Sequence, residues 1–157
     1  RRIMAIVEST GSHLQWEGNH LTVSGKATQP LHVDLGQCPD LLPVMAALAC
    51  GIDGESSFVN GARLRIKESD RLEAVAALVR DLGGSVRLEG DDMYIQGTGR
   101  LVGGTVDCQN DHRLVMAGTL AALIAEEPVQ LKDSQAITKS YPDFFDDWNA
   151  LGGNAHV

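Results

Sequence analysis

Two short stretches of this 157-residue sequence put arginine where helices usually exclude it. In Lys67-Glu68-Ser69-Asp70-Arg71-Leu72, Arg71 falls in the first turn of a helix with Ser69 as its N-cap. The spacing of Leu72, Val75, Ala76, Val79 and Leu82 predicts that this helix runs to about Leu82. The positive end of a helix dipole disfavours a cation there by a few tenths to about 1 kcal/mol. In Asn110-Asp111-His112-Arg113 a second arginine opens a second helix. Free N–H groups at a helix start already attract anions, so arginines added there make a seat for phosphate or carboxylate. The forked guanidinium groups of Arg71 and Arg113 would be clamps, with Lys67 and Lys139 as point charges. Beside such cations Glu68, Asp40 and His112 can give or accept protons. Each also has an ordinary alternative. Glu68 and Asp70 can satisfy the dipole and pair with Arg71 on the surface, Asp40 can be a first-turn acid, and His112 can cap its neighbour. Asp70 reads as structural.

The elements that must hold these groups follow from hydrophobic period and turn residues. Ile3, Met4, Ile6 and Val7 read as the back of a helix stopped at Thr10-Gly11. Strands at His13 to Trp16 and Leu21 to Val23 flank the turn Glu17-Gly18-Asn19, and a third runs from Leu31 to Leu35. Pro39 then opens a helix over residues 40–50. A strand at Ser56 to Val59 leads to the Arg71 helix, and an alternating pair, Val86 to Leu88 and Met93 to Ile95, turns at Gly90-Asp91. Beyond Gly103-Gly104 come a strand at Thr105 to Cys108, a helix from Asp111 to Ala125, a strand at Val129 to Leu131, and a helix from Asp143 to Leu151 that stops at Gly152-Gly153. Leu48, Leu78, Leu120 and Leu123 are expected in the core, and Cys38 and Cys50 as small buried hydrophobes.

These segments repeat. Glu17-Gly18-Asn19 matches Glu89-Gly90-Asp91 at a spacing of 72, and Lys67 matches Lys139 at the same spacing. The run from Asp40 to Ala46 matches Asp111 to Ala117 at 71, and Leu82-Gly83-Gly84 matches Leu151-Gly152-Gly153 at 69. The unit is strand, helix, strand, helix, then a two-strand hairpin. The chain holds the back of one unit, one whole unit and most of a third, and it starts without an initiating Met or a cap. It therefore reads as a piece of a longer protein. Equivalent positions in stacked units would gather Asp40, Asp111, Lys67 and Lys139 at one end, as a composite anion site.

Composition narrows the partners. With 43% hydrophobic and 22% charged residues the chain is an ordinary globular one, able to bury about two thirds of its unfolded surface. A net charge of -8 argues against nonspecific binding to nucleic acid or to an anionic membrane. No apolar run approaches the roughly 18 residues of a membrane span, and no signal peptide is evident. Three cysteines without CxxC spacing read as free thiols in a reducing compartment, so a soluble cytoplasmic protein is expected. Five scattered histidines without an HExxH pair argue against a metal site.

The charged stretches, taken together, resemble a known family. Arg65 to Leu72, Asn110 to Arg113, and Thr138-Lys139-Ser140-Tyr141-Pro142-Asp143-Phe144-Phe145 resemble three signatures of 5-enolpyruvylshikimate-3-phosphate synthase, and Cys38-Pro39-Asp40 looks like a fourth. They keep the family's order and spacing across essentially the whole chain. The resemblance implies an α/β fold of repeated βαβαββ units, the enolpyruvyl transferase fold, three units to each of two domains, with the active site in the cleft between them. Residues 1–157 look like most of the C-terminal domain, without the N-terminal one. The implied activity moves the enolpyruvyl group of phosphoenolpyruvate to the 5-hydroxyl of shikimate 3-phosphate, releases phosphate, and uses neither metal nor organic cofactor. By resemblance Asp40 contacts the shikimate 5-hydroxyl, and Glu68 transfers a proton at the phosphoenolpyruvate methylene. Arg71, Arg113 and Lys139 bind phosphoenolpyruvate, and Lys67 contacts the shikimate phosphate. His112 lies in the motif beside Arg113. The family's glycine-rich segment and remaining essential cations belong to the N-terminal half, so the isolated chain is expected to fold but not to turn over. The alternatives are the sister transferase acting on UDP-N-acetylglucosamine, an RNA-end-processing enzyme on a similar repeat, and a non-catalytic anion-binding module. The first is not expected to carry both charged stretches, and the second would need a basic, aromatic face.

Overall fold

Helix α1 (Arg2–Ser9) leads into the antiparallel hairpin β1 (His13–Glu17) and β2 (His20–Ser24). The computed structural model describes residues 2–66 and 70–156, so Lys67, Glu68 and Ser69 lie outside the described residues. One complete unit follows: β3 (His32–Asp34), α2 (Leu42–Cys50), β4 (Gly54–Val59), α3 (Arg71–Asp81), β5 (Ser85–Glu89) and β6 (Asp92–Gly97). Its four strands form one sheet in the order β3-β4-β6-β5. The β3–β4 pair is parallel, and β6 is antiparallel to both of its neighbours. The next unit contributes β7 (Gly104–Asp107), α4 (His112–Ala121), β8 (Val129–Lys132) and α5 (Phe144–Ala150), with β7 and β8 paired in parallel. The expected α/β repeat is thus the observed architecture.

Helix α2 is apolar throughout, and seven of its nine residues are buried, because it lies between α4 and the sheet. Its start departs from expectation. Pro43 has no N–H to give the carbonyl of Pro39, so residues Pro39–Leu41 form a 3₁₀ turn and the α-helix begins at Leu42. The α3 cap also moves by one residue. Asp70, not Ser69, caps the helix, its carboxylate accepting the Glu73 N–H at 3.1 Å. Helix α4 stops at Ala121 and continues as a 3₁₀ turn over Ala122–Ile124. That change of period rotates Leu123 outward to 68% exposure, where continued helical spacing predicts burial. Leu78 is buried as expected, and Leu48 and Leu120 pack on the core from its margin. Cys38, Cys50 and Cys108 are buried free thiols. Among the described residues no helix is long and apolar enough to cross a membrane.

Candidate active site

The starts of the 3₁₀ turn before α2, of α3 and of α4 meet at one end of the domain, and charged side chains tie them together. Arg71 is 3% exposed. Its Nε donates to Asp111 Oδ2 at 2.8 Å and its Nη1 to Asp40 Oδ1 at 2.9 Å. The anion that a helix-opening arginine requires is therefore supplied in part by two carboxylates, 31 and 40 residues away in sequence. The surface pairing of Arg71 with Asp70 is not what forms, because Asp70 bonds instead to Arg65 and to the Glu73 N–H.

Asp111 has two tasks. Its Oδ2 holds Arg71 while its Oδ1 accepts the Arg113 N–H at 2.9 Å and caps α4. Removing one member of such a buried pair leaves an uncompensated charge and costs about 3–5 kcal/mol. Asp111 thus joins the starts of α3 and α4, at the end of the domain where the repeat places it. The signal that points to it is its match to Asp40 in the repeat.

Arg113 reaches the same place from α4. Its Nη1 donates to the Asp40 carbonyl at 3.3 Å, and its Nη2 lies 3.5 Å from Asp40 Oδ2. The Asp40 carboxylate, 45% exposed, therefore stands between two guanidinium groups. Lys139 comes from the 3₁₀ turn Ser134–Lys139 and donates from Nζ to the Asn110 carbonyl at 2.7 Å. Gln109 and Asn110 both take left-handed backbone, at φ 47° and 56°. Such φ values are uncommon outside glycine, and strain of this kind collects at functional sites. The Gln109 N–H bonds Asp107 Oδ1 at 2.9 Å, and Lys139 holds the next carbonyl. His112 is only loosely engaged, its Nδ1 4.0 Å from Asp111 Oδ1.

The structure thus brings Asp40, Arg71, Arg113, Lys139 and His112 to one end, while Lys67 and Glu68 fall in the span outside the described residues. Chemically the described face can hold an anion beside a carboxylate able to exchange a proton. Cys108, just before the Gln109-Asn110 turn, is a buried thiol. Burial first, then the carboxylates of Asp107, Asp133 and Asp111, push its thiol up to about 12. Among the described residues no group of side chains is arranged to hold a metal. A cavity of about 660 Å³ lies elsewhere, lined in part by Thr119, Leu131, Phe145 and Trp148. The Arg113 and Asp40 side chains are 34% and 45% exposed, and an exposed face needs a second wall before it becomes a pocket.

Comparison with known proteins places the chain in a family. The family model for EPSP synthase (3-phosphoshikimate 1-carboxyvinyltransferase) matches residues 1–148. A 3-phosphoshikimate 1-carboxyvinyltransferase of Clostridium novyi is 37% identical over 153 residues, covering 98% of this chain and 35% of that protein. One from Methanococcus vannielii is 32% identical, covering 100% of this chain and 37% of its own length. The solved structure of EPSP synthase from Acinetobacter baumannii superposes with a TM-score of 0.85 at 23% identity, over 96% of this chain and 38% of that one, which establishes likeness of fold. The chain spans about a third of the length of the curated relatives it matches, from 28% to 37%.

Proposed function

The chain belongs to the EPSP synthase family, and we propose that it supplies one wall of a cleft enzyme, residues 1–157 forming most of the C-terminal domain. Joined to an N-terminal domain, it transfers the enolpyruvyl group of phosphoenolpyruvate to the 5-hydroxyl of shikimate 3-phosphate and releases phosphate. The observation that carries this reading is the convergence of Arg71, Arg113 and Lys139 with the half-open carboxylate of Asp40.

In this reading Arg113 and Lys139 meet the phosphate and carboxylate of phosphoenolpyruvate beside Asp40. Arg71, fixed by Asp111, provides a fixed positive charge behind them. Glu68 gives a proton to the methylene carbon, leaving the adjacent carbon cationic. The 5-hydroxyl attacks that carbon as Asp40 takes the hydroxyl proton, and a tetrahedral intermediate forms. Loss of a proton from the new methyl group then expels phosphate, so one carboxylate serves in both directions. Lys67 contacts the phosphate of shikimate 3-phosphate, and His112 borders the site. No metal or organic cofactor enters the scheme. We place the protein in the cytoplasm, where its three thiols stay reduced, with neither nucleic acid nor membrane as partner.

The test is phosphate release from phosphoenolpyruvate plus shikimate 3-phosphate, by this chain alone and by the chain rejoined to an N-terminal half. Turnover is expected only in the rejoined protein, and is expected to disappear with Glu68→Ala or Arg113→Ala. Turnover by the chain alone overturns the one-wall assignment. Tight substrate binding without turnover in a folded, rejoined protein means a non-catalytic anion-binding module instead.

A further inference from the structure

Arg65 has no part in the chemistry described so far, yet each of its three guanidinium nitrogens donates a hydrogen bond. Its Nε donates to Asp91 Oδ1 at 2.7 Å, its Nη1 to Asp70 Oδ2 at 2.9 Å, and its Nη2 to the Gly90 carbonyl. We propose that Arg65 is a positioning residue: it fastens the first turn of α3 to the β5–β6 turn and so sets where Arg71 enters the Asp40–Asp111 pair. The positional claim stands on these contacts, and its consequence for turnover rests on the function proposed above.

The geometry makes one carboxylate do two things. Asp70 Oδ1 caps α3 through the Glu73 N–H, while Asp70 Oδ2 takes the Arg65 bond. The next residue is Arg71, so a shift of the cap moves Arg71 with it. The other anchor is itself fixed. The Gly61 N–H donates to the Asp91 carbonyl at 2.9 Å, and the Asn60 N–H to Asp92 Oδ1 at 2.8 Å. A Cβ on Gly61 would lie 2.5 Å from that carbonyl oxygen, so the close approach requires glycine here. The β5–β6 turn is thus a post held at several points, and Arg65 ties α3 to it.

Energetics favour position over stability as the purpose. The ion pairs of Arg65 are a third to a half exposed, and pairs of that kind add about 0–1 kcal/mol each. Bonds from a rigid planar fork to three acceptors on two elements nevertheless define direction, which a lysine at the same place cannot reproduce. Asp91 and then Asp70 push the Arg65 pKa above its ordinary value, so the tie is not lost by deprotonation. The equivalent turn of the first hairpin, Gly18-Asn19, carries no such side-chain bond among the described residues, and no charged helix start lies over it.

The experiment compares Arg65→Gln, Arg65→Lys and Asp91→Asn with Arg87→Gln. Arg87 makes a similar exposed double pair with Glu55 and Glu89 but touches nothing at the site. Three readouts are used: the urea midpoint of the chain, the NMR shifts of its Arg71 Nε–H and Glu73 amide, and kcat with KM for phosphoenolpyruvate in the rejoined protein. All four variants are expected to unfold at midpoints close to one another. The Arg65 and Asp91 variants shift the Arg71 Nε–H and Glu73 signals, and lower kcat about 10- to 100-fold with KM little changed. Arg65→Lys recovers little of this, and Arg87→Gln leaves kcat and both signals as they were. Unmoved Arg71 and Glu73 signals in Arg65→Gln overturn the proposal, as does a fall in its urea midpoint large enough to account for the kcat change. If the rejoined parent protein shows no turnover, the function proposed above fails, while the two NMR signals in the chain still decide the role of Arg65.

Discussion

Hairpin β1–β2 turns at Gly18 and hairpin β5–β6 at Gly90, both glycines at φ 60°. The apolar positions match across 72 residues: Leu14 with Val86, Trp16 with Leu88, Leu21 with Met93, and Val23 with Ile95. Met93 and Ile95 have no exposed surface, whereas Trp16 and Val23 are 54% and 56% exposed. The second hairpin lies under α2 and α3, and the outer edge of β6 pairs with β4. The first hairpin has α1 against β1, and its sheet stops at two strands. The same local code therefore gives the same local shape, and burial is decided by what lies on top. The turns differ in the same way. The second holds Asn60, Gly61 and Arg65 and through them the helix that presents Arg71, so a hairpin in one unit serves the charged end.

This contrast can be broken by experiment. The largest difference is expected from removing matched apolar side chains. Ile95→Ala should lower unfolding free energy by about 2–5 kcal/mol, and Val23→Ala by under about 0.5 kcal/mol, in urea titrations. Equal losses would mean that the first hairpin is covered in solution.

The helix over β6 provides the next test. Burial raises the Cys50 thiol from 9.0 to about 11. Because the folded state holds this proton more tightly, its contribution is fully present below about pH 9. Between there and about pH 11 the unfolded chain ionises first, and stability falls as pH rises by up to about 1.4 kcal/mol per pH unit. Cys50→Ala should flatten that part of the pH profile, measured by chemical denaturation. An unchanged slope would place the thiol in a wetter site than the α2–β6 contact gives it.

Smaller effects should come from the turns. Asp92→Ala removes the acceptor of the Asn60 N–H and should cost about 0.5–1.5 kcal/mol, while His20→Ala at the matching position should cost less than about 0.5 kcal/mol. Gly18→Ala and Gly90→Ala meet open space but force an L-residue into left-handed backbone. Each should cost about 1 kcal/mol, and the two costs should be equal. A clear inequality would show that tertiary contacts reach into the turn geometry itself.

Most of the architecture was legible in the sequence for a physical reason. Strand alternation, helical spacing and turn glycines are local, and the 72-residue repeat states the same order more than once. That order sufficed to place Asp40 and Asp111 at equivalent helix starts, and to mark Arg71 and Arg113 as charges in need of an anion. Local patterns do not report which distant group answers a charge. Only packing could bring Asp40 and Asp111 onto Arg71, or Asp91 onto Arg65, because the partners lie 26 to 40 residues apart and meet through sheet order and helix stacking. The same holds for Leu123, which helical spacing places inside and a 3₁₀ turn carries out. Local physics in the sequence determined the elements and the candidate residues, and tertiary structure decided which charges are buried, which carboxylate stays half open, and which hairpin face meets water.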